Sequence, residues 1–238
     1  MVTKAIPKVT AWSYSRWNDH SGNDGCPQRF KWTHLDKSYL KAHPIVKGPA
    51  LVRGTAIHKL AEDYVAAARA PAMSTELMLF KEEFAMLRKV KAIPEGKMQF
   101  DNMWRPLTDW FEPRVWLRTV LDAHYRRKIG KTTQREVVID YKTGKSLADD
   151  LQFHLYGASG LSQWPEVQEV EVQIWYTDQG VLAPEKPLVY GREELPEMQK
   201  AWEKRIIPML TDKRFSPRPG AYCRYCNFSK SKGGPCSF

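Results

Sequence analysis

The stretch Val137 to Tyr156, VVIDYKTGKSLADDLQFHLY, holds residue types at a spacing that metal-dependent phosphodiester chemistry can use. In a β-strand successive side chains point to opposite faces, so Asp140 and Lys142 project together while Val137, Ile139 and Tyr141 face the other way. The carboxylate suits a hard cation and the ammonium suits a scissile phosphate. Downstream, Ser146 with Asp149 fits a capping box that starts a helix, on which Gln152 and Tyr156 lie four residues apart and share a face. One strand and one helix thus point four functional side chains at a common region. A plainer reading stands beside this one: charged pairs on a strand often mark a solvated face, and Gln152 and Tyr156 also suit an ordinary helix surface.

The elements that would position these residues follow from periodicity. Ile57, Leu60, Ala61, Tyr64, Val65 and Ala68 recur at helical spacing, which predicts a helix over Thr55–Ala68 with His58 at the edge of its buried stripe. PIVKGPALVRG, from Pro44 to Gly54, reads as a connector that precedes this helix. A second helix is expected from Thr75, its candidate cap, to about Val90, burying Leu77, Phe80, Phe84 and Leu87. Strands follow near Lys97–Trp104, Val115–Ala123 and Arg135–Tyr141, with Pro106, Pro113 and Gly130 among the turn residues between them. After the helix Ser146–Leu161 comes a fourth strand, in which Val167, Val170, Val172, Ile174 and Tyr176 alternate with one slip. Leu182–Tyr190 offers a hairpin partner, and a helix from about Glu193 to Leu210 leads to the tail. A short helical start lies between Trp12 and Trp32. No internal repeat or low-complexity segment interrupts this order, and 238 residues are expected to form one domain, 1–238.

Lys and Arg number 37 against 27 Asp and Glu, a formal net charge of +10 that favours a polyanionic partner. Charge alone does not choose between nucleic acid and an acidic membrane surface. Nine tryptophans and ten tyrosines supply rings that stack on unpaired bases or fill a core. The N-terminal MVTKAIPKVTAWSYS has no sustained apolar region, and nothing approaches the ~18 uninterrupted apolar residues of a spanning helix, so a soluble cytoplasmic protein with no membrane role is expected. Cys223 and Cys226 form a C-x-x-C, Cys236 follows after nine residues, and Cys26 stands near the other end. Four cysteines in a cytosolic chain of this size point to metal binding or redox chemistry rather than a disulfide scaffold. Such a thiolate set holds a [4Fe–4S] cluster or zinc, and spacing does not separate the two.

The D-x-K of Asp140 and Lys142, followed by the Q-x-x-x-Y of Gln152 and Tyr156, resembles motif III and the trailing motif of the PD-(D/E)XK nuclease superfamily, specifically its RecB-like exonuclease branch. RGTAIHKLAEDY, Arg53 to Tyr64, resembles the G-x-x-x-H helix of that branch with His58 as its histidine. RTVLDAHY, Arg118 to Tyr125, resembles the motif II strand with Asp122 as its aspartate. CPQRFKWTHL near the start and FSPRPGAYCRYCNFSKSKGGPC at the end resemble the split cysteine set of iron–sulphur members, such as the CRISPR-associated RecB-type exonucleases and the AddB nuclease subunit. Here the C-x9-C interval is wider than the gap in those members, which leaves Cys236 the least fixed of the four.

The resemblance implies an α/β fold with a restriction-endonuclease-like core, a central mixed sheet flanked by helices. A cysteine cluster would join segments 20–35 and 215–238. It further implies that Asp122 and Asp140 bind Mg2+ or Mn2+ with the backbone carbonyl of Tyr141, and that His58 adds an imidazole, which manganese tolerates better than magnesium. Lys142 would position or deprotonate the attacking water, while Gln152 and Tyr156 orient the site or the strand. Cys26, Cys223, Cys226 and Cys236 would hold a [4Fe–4S] cluster, with zinc as the alternative. Glu95 is left outside the ligand set, and Glu62, one turn beyond His58, reads either as an acceptor for its ring or as an exposed helix glutamate. The implied activity is a metal-dependent DNA exonuclease acting on single strands or duplex ends in recombination, repair or CRISPR-type DNA processing. A structure- or sequence-selective endonuclease on the same fold is the alternative. A non-catalytic nucleic-acid-binding module is a third reading. His58, Asp122, Asp140 and Lys142 together argue against that module, which gains nothing from acidic groups facing phosphate.

Overall fold

Pro49 opens the longest helix among the described residues, six residues before the hydrophobic periodicity places its start, because proline at the first helical position brings a preset φ and gives up an N–H that has no partner there. A computed structural model describes residues 8–144 and 150–238. The Ser146–Asp149 capping box lies outside the described residues. The chain divides into two compact units, one made of the N-terminal segment to Lys47 together with Ala201–Phe238, the other of Gly48–Lys200.

In the first unit, α1 (Tyr14–Ser21), α2 (Pro27–Phe30), a π-helical turn (Lys31–Leu35) and α3 (Lys37–Ala42) follow one another. Ser13 caps α1 by accepting a hydrogen bond from Arg16 N. Trp12 stacks on Trp202 at 5.6 Å between ring centroids, and Trp17 meets the same ring edge-on at 5.3 Å, so several of the tryptophans that could have served base stacking fill this core instead.

The second unit holds α4 (Pro49–Ala66), α5 (Lys81–Lys89), β1 (Ile93–Phe100), β2 (Leu117–Ile129), β3 (Thr133–Lys142), α6 (Asp150–Gln163), β4 (Glu169–Tyr176) and β5 (Val181–Gly191). The last helix, α7 (Leu195–Thr211), follows a short 3-10 turn at Arg192–Glu194. The five strands form one mixed sheet in the order β1-β2-β3-β4-β5, antiparallel except for the parallel β3–β4 pair that α6 connects. This is the α/β arrangement the sequence predicts. The slip expected between Val167 and Val170 falls at the strand's start, since β4 begins at Glu169, and a separate register shift against β5 lies between Val172 and Ile174.

Several boundaries differ from expectation. On α4, Ile57, Ala61 and Val65 are buried as predicted, whereas Leu60 is exposed and Ala68 lies past the helix end. The single helix expected over Thr75–Val90 is a 3-10 turn, Thr75–Phe80, followed by α5, with Phe80 at φ −120° and ψ 32° breaking the α-helical run. Thr75 is its first residue rather than its cap. Because both pieces still bury Leu77, Phe80, Phe84 and Leu87, hydrophobic spacing alone did not reveal the break. Strand β2 continues six residues past Ala123 through a polar run, sustained by cross-strand partners: His124 bonds Glu136, and Arg127 bonds Glu171. Ile57, Phe84, Ala123, Val137, Ile139, Tyr141 and Trp175 form one hydrophobic cluster, which confirms the predicted inward face of β3.

Candidate active site

The backbone ladder between β2 and β3 runs from Ile129↔Thr133 to Ala123↔Ile139 and stops there. At the next position Asp122 replaces it with a side chain: Oδ2 accepts the Tyr141 N–H at 2.6 Å, while Oδ1 lies 3.0 Å from His58 Nδ1. This carboxylate therefore holds the end of β3 and the α4 histidine together. His58 is half-buried. Burial pulls its imidazole pKa down, but the hydrogen bond and charge of Asp122, with the charge of Asp140 beyond, outweigh that and hold the pKa above its ordinary value.

On the opposite face of β3, Asp140 is buried against α6. Its Oδ1 accepts the Tyr156 hydroxyl at 2.9 Å, and Oδ2 lies 2.7 Å from Lys142 Nζ. Lys142 also donates to Gln152 Oε1 at 3.1 Å, and Gln152 Nε2 donates to the Tyr156 oxygen at 2.8 Å. The four residues picked out by period two on the strand and period four on the helix thus close into a ring. Burial pushes the Asp140 carboxyl up, Lys142 opposes this, and the charge of Asp122 adds to it, so the pKa lies above its ordinary value. Burial, followed by the charge of Asp140, drives the Tyr156 phenol well up, which keeps its proton available to Asp140.

The strand end that bears Lys142 is tied down from two sides. Thr177 donates both its N–H and its hydroxyl to the Lys142 carbonyl, at 3.0 and 3.1 Å. Asp178 accepts the Gly144 N–H at 2.7 Å and pairs with both terminal nitrogens of Arg53 on α4. Gly54 leaves room beside this clamp, since a Cβ there would fall 2.9 Å from Thr143 Oγ1 and that hydroxyl would have to turn away. Asp178 and Thr177 carry no motif, and only their place in the turn after β4 reveals them. Of the two readings of Glu62 the helix-surface one fits: it bonds Lys59 at 3.0 Å, and the His58 ring takes Asp122 as its partner. Glu95, left aside in the sequence reading, has its pKa raised by burial and then by the charges of Asp122 and Glu62, which puts it within their electrostatic reach.

The profile of the PD-(D/E)XK nuclease superfamily matches residues 11–231. The chain belongs to this superfamily. As a PD-(D/E)XK nuclease it is a hydrolase acting on nucleic acid. Among solved structures it resembles the protein SSO0001 at 16% identity and a TM-score of 0.45, over 98% of this chain and 89% of the other. A candidate exonuclease from Eubacterium rectale is similar at 12% identity and a TM-score of 0.47, over 91% of this chain and 87% of the other. No curated protein sequence matches it.

PD-(D/E)XK nucleases generally use divalent cations such as Mg2+ or Mn2+. Among the described residues no three His, Cys, Asp or Glu side chains converge as a ready-made cation cage. The donors nevertheless fit a hard cation: two carboxylates lie at the end of β2–β3 pairing, and buried Asp140 Oδ2 accepts no hydrogen bond among the described residues. Among the described residues the Lys142 ammonium pairs with that oxygen, 2.7 Å away. Asp122, Asp140 and the Tyr141 carbonyl would hold the ion, with His58 beside them.

All four cysteines belong to the first unit and are free thiols. Cys26, Cys223, Cys226 and Cys236 line one cavity of about 100 Å³. Backbone N–H groups of Arg218 and Gly220 point at the sulphurs of Cys26 and Cys223, both at 3.4 Å, as donors do in thiolate-bound centres. Cys236 donates to Gln28 Oε1 at 3.2 Å, so the residue left least fixed by spacing stands at the same cavity. Burial pushes the Cys226 thiol up. No described helix is long and apolar enough to cross a membrane.

Proposed function

We propose that the protein is a metal-dependent DNA exonuclease of the RecB-like branch, acting on single strands or duplex ends. The observation that carries this is the closed ring of Asp140, Lys142, Gln152 and Tyr156 beside the Asp122–His58 pair, because it supplies separate groups for each task of hydrolysis. When bound, a divalent cation lowers the pKa of water and polarises the phosphate oxygens. The residues do the rest. Asp122 and Asp140 present oxygen donors from adjacent strands, and the Asp122–His58 bond fixes the imidazole. Lys142, held by Gln152, keeps an ammonium where negative charge develops on the phosphate and where the attacking water loses its proton. Tyr156 holds one Asp140 oxygen and leaves the other for the cation. In the same proposal Cys26, Cys223, Cys226 and Cys236 carry a [4Fe–4S] cluster that closes the first unit and takes no part in the phosphate chemistry.

Digestion of end-labelled linear DNA and closed circular DNA with Mn2+ tests the reading. Release of labelled nucleotides from the linear substrate alone is the expected result. Cutting of the closed circle would establish an endonuclease, and binding without cleavage would establish a binding module.

A further inference from the structure

Beyond Asp122, β2 pairs only with β1 among the described residues, so the two strands run on as a ribbon past the end of the β2–β3 ladder. Its two faces differ. Leu117, Thr119 and Leu121 turn inward, with the Thr119 hydroxyl 3.1 Å from that of Ser159 on α6. Arg118 and Val120 turn to the other side, which is the side of the Asp122 carboxylate, and Gln99 and Lys97 pair with them in register. Lys97 is exposed, Arg118 half-buried and Val120 exposed. A cationic face thus continues directly from the site.

The loop between β1 and β2 completes this face with rings. Trp110 folds back over it, its ring centroid 6.0 Å from Lys97 Nζ and 5.5 Å from Arg118 Cζ, and its carbonyl accepts from Arg118 Nε and Nη2 at 3.0 and 2.9 Å. Next to it Phe111 is 81% exposed on a turn that is nonetheless fixed, since its N–H donates to Asp109 Oδ1 at 2.9 Å. Leaving a large apolar ring in water on a fixed turn is unfavourable unless a partner covers it. Two cations on the strands and two rings at the loop match the phosphates and unpaired bases of one single strand, whereas a duplex hides its base faces in its own stack.

We propose that this face is the track for a single-stranded segment of the substrate, with phosphates on Lys97 and Arg118 and bases stacked on Trp110 and Phe111. This rests on the nuclease reading of the Asp122–Asp140 site and adds to it where the strand lies. Arg118 is four residues from Asp122, about 13 Å at the rise of a strand, so only a substrate of several nucleotides reaches both the site and the rings.

The test measures binding of fluorescein-labelled oligodeoxythymidylate and of a blunt duplex to the full chain with metal withheld. Phe111→Ala is expected to weaken binding of the single strand about ten-fold, Phe111→Tyr to restore it, and Trp110→Ala to act in the same direction as Phe111→Ala, in keeping with base–aromatic stacking. The loss on the duplex should be smaller. With Mn2+ the same alanine variants should lose more activity on the oligonucleotide than on bis-p-nitrophenyl phosphate, which is too short to span the track. Single-strand binding within two-fold of wild type for both alanine variants, or equal losses on oligonucleotide and reporter, would overturn the proposal. Because the binding comparison is made without metal, it decides the track by itself, and failure of the wild type to cleave DNA counts against the nuclease reading alone.

Discussion

Replacing Tyr156 by Phe removes one oxygen and opens the ring that joins Asp140, Lys142, Gln152 and Tyr156. Two hydrogen bonds end with it, the 2.9 Å donation to Asp140 Oδ1 and the 2.8 Å acceptance from Gln152 Nε2. Their weights differ. Asp140 is buried and stays so, leaving that carboxylate oxygen with neither its donor nor water, and a hydrogen bond to a charged group contributes about 1.5–3 kcal/mol. Gln152 is half-buried, so water replaces its lost acceptor at little cost. The expected loss is therefore about 2 kcal/mol, a Tm lower by about 4–8 °C for a chain of this size. Activity should fall through kcat, since Asp140 loses the group that holds its orientation. A double-mutant cycle isolates the cause: with Asp140→Asn in the background the acceptor is neutral, and the Tyr156→Phe penalty should shrink to about 1 kcal/mol. Thermal melts and denaturant titrations of the four proteins provide the measurement. A Tyr156→Phe protein that melts with the wild type, or a penalty unchanged in the Asp140→Asn background, would refute the ring as the source of order at this site.

Asp140→Ala and Lys142→Ala should each abolish cleavage while leaving DNA binding in place, checked by parallel gel assays with and without Mn2+, and wild-type cleavage by either variant would remove that residue from the chemistry. Protein purified without oxygen should be brown and contain iron and acid-labile sulphide, and Cys26→Ser, Cys223→Ser or Cys226→Ser should lose the colour and lower the Tm. One equivalent of zinc with no iron would replace the cluster by a zinc site. In the first unit His20 lies buried between the edges of Phe30 and Phe215, and burial lowers its pKa despite the Asp212 oxygen at 3.1 Å. The unfolded chain then takes up a proton near the ordinary histidine pKa of about 6.5 before the folded one does, so stability is full above that pH and declines as pH falls through it. Melts between about pH 7.5 and pH 5 should show His20→Gln losing less stability than wild type across this window, and parallel curves would count against the argument.

The chemistry was more legible than the boundaries, for a physical reason. Asp140 with Lys142 and Gln152 with Tyr156 are local pairs whose relative direction is set by the period of one strand or one helix, so their spacing alone predicts that they meet. The bond between His58 and Asp122 spans 64 residues, and resemblance to the G-x-x-x-H helix and motif II strand supplied the two residues as cation ligands but not the bond between them. The second half of β2 lies past the expected strand end near Ala123 because the polar run His124, Arg126 and Arg127 carries no apolar alternation, although Glu136 and Glu171 meet it across the sheet. The early start of α4 was hidden by the proline and glycines that looked like a connector. Arg53, Asp178 and Gly144 show the same limit, because a clamp formed by a helix, a turn and the end of a strand has no sequence period to betray it.

One structural step makes both the site and its approach. Where the β2–β3 ladder stops at Ile139, β2 loses its second neighbour, and a strand with a neighbour on one side only has backbone groups and one face left to assign. Asp122 stands at that position and spends its two oxygens on the freed Tyr141 N–H and on His58, so it is fixed before any cation arrives. The parallel β3–β4 connection is made by α6, which places Gln152 and Tyr156 over the carboxyl end of β3, the end at which parallel strands present ligand-binding groups. Past the same point the β1–β2 ribbon keeps one face against α6 and leaves Lys97 and Arg118 on the other. The end of a single pairing thus separates an anionic site able to hold a cation from a cationic face able to hold phosphate, and puts them next to each other on one strand. A hydrolase for a long polyanion needs both, because the charge that binds the metal would by itself repel the substrate.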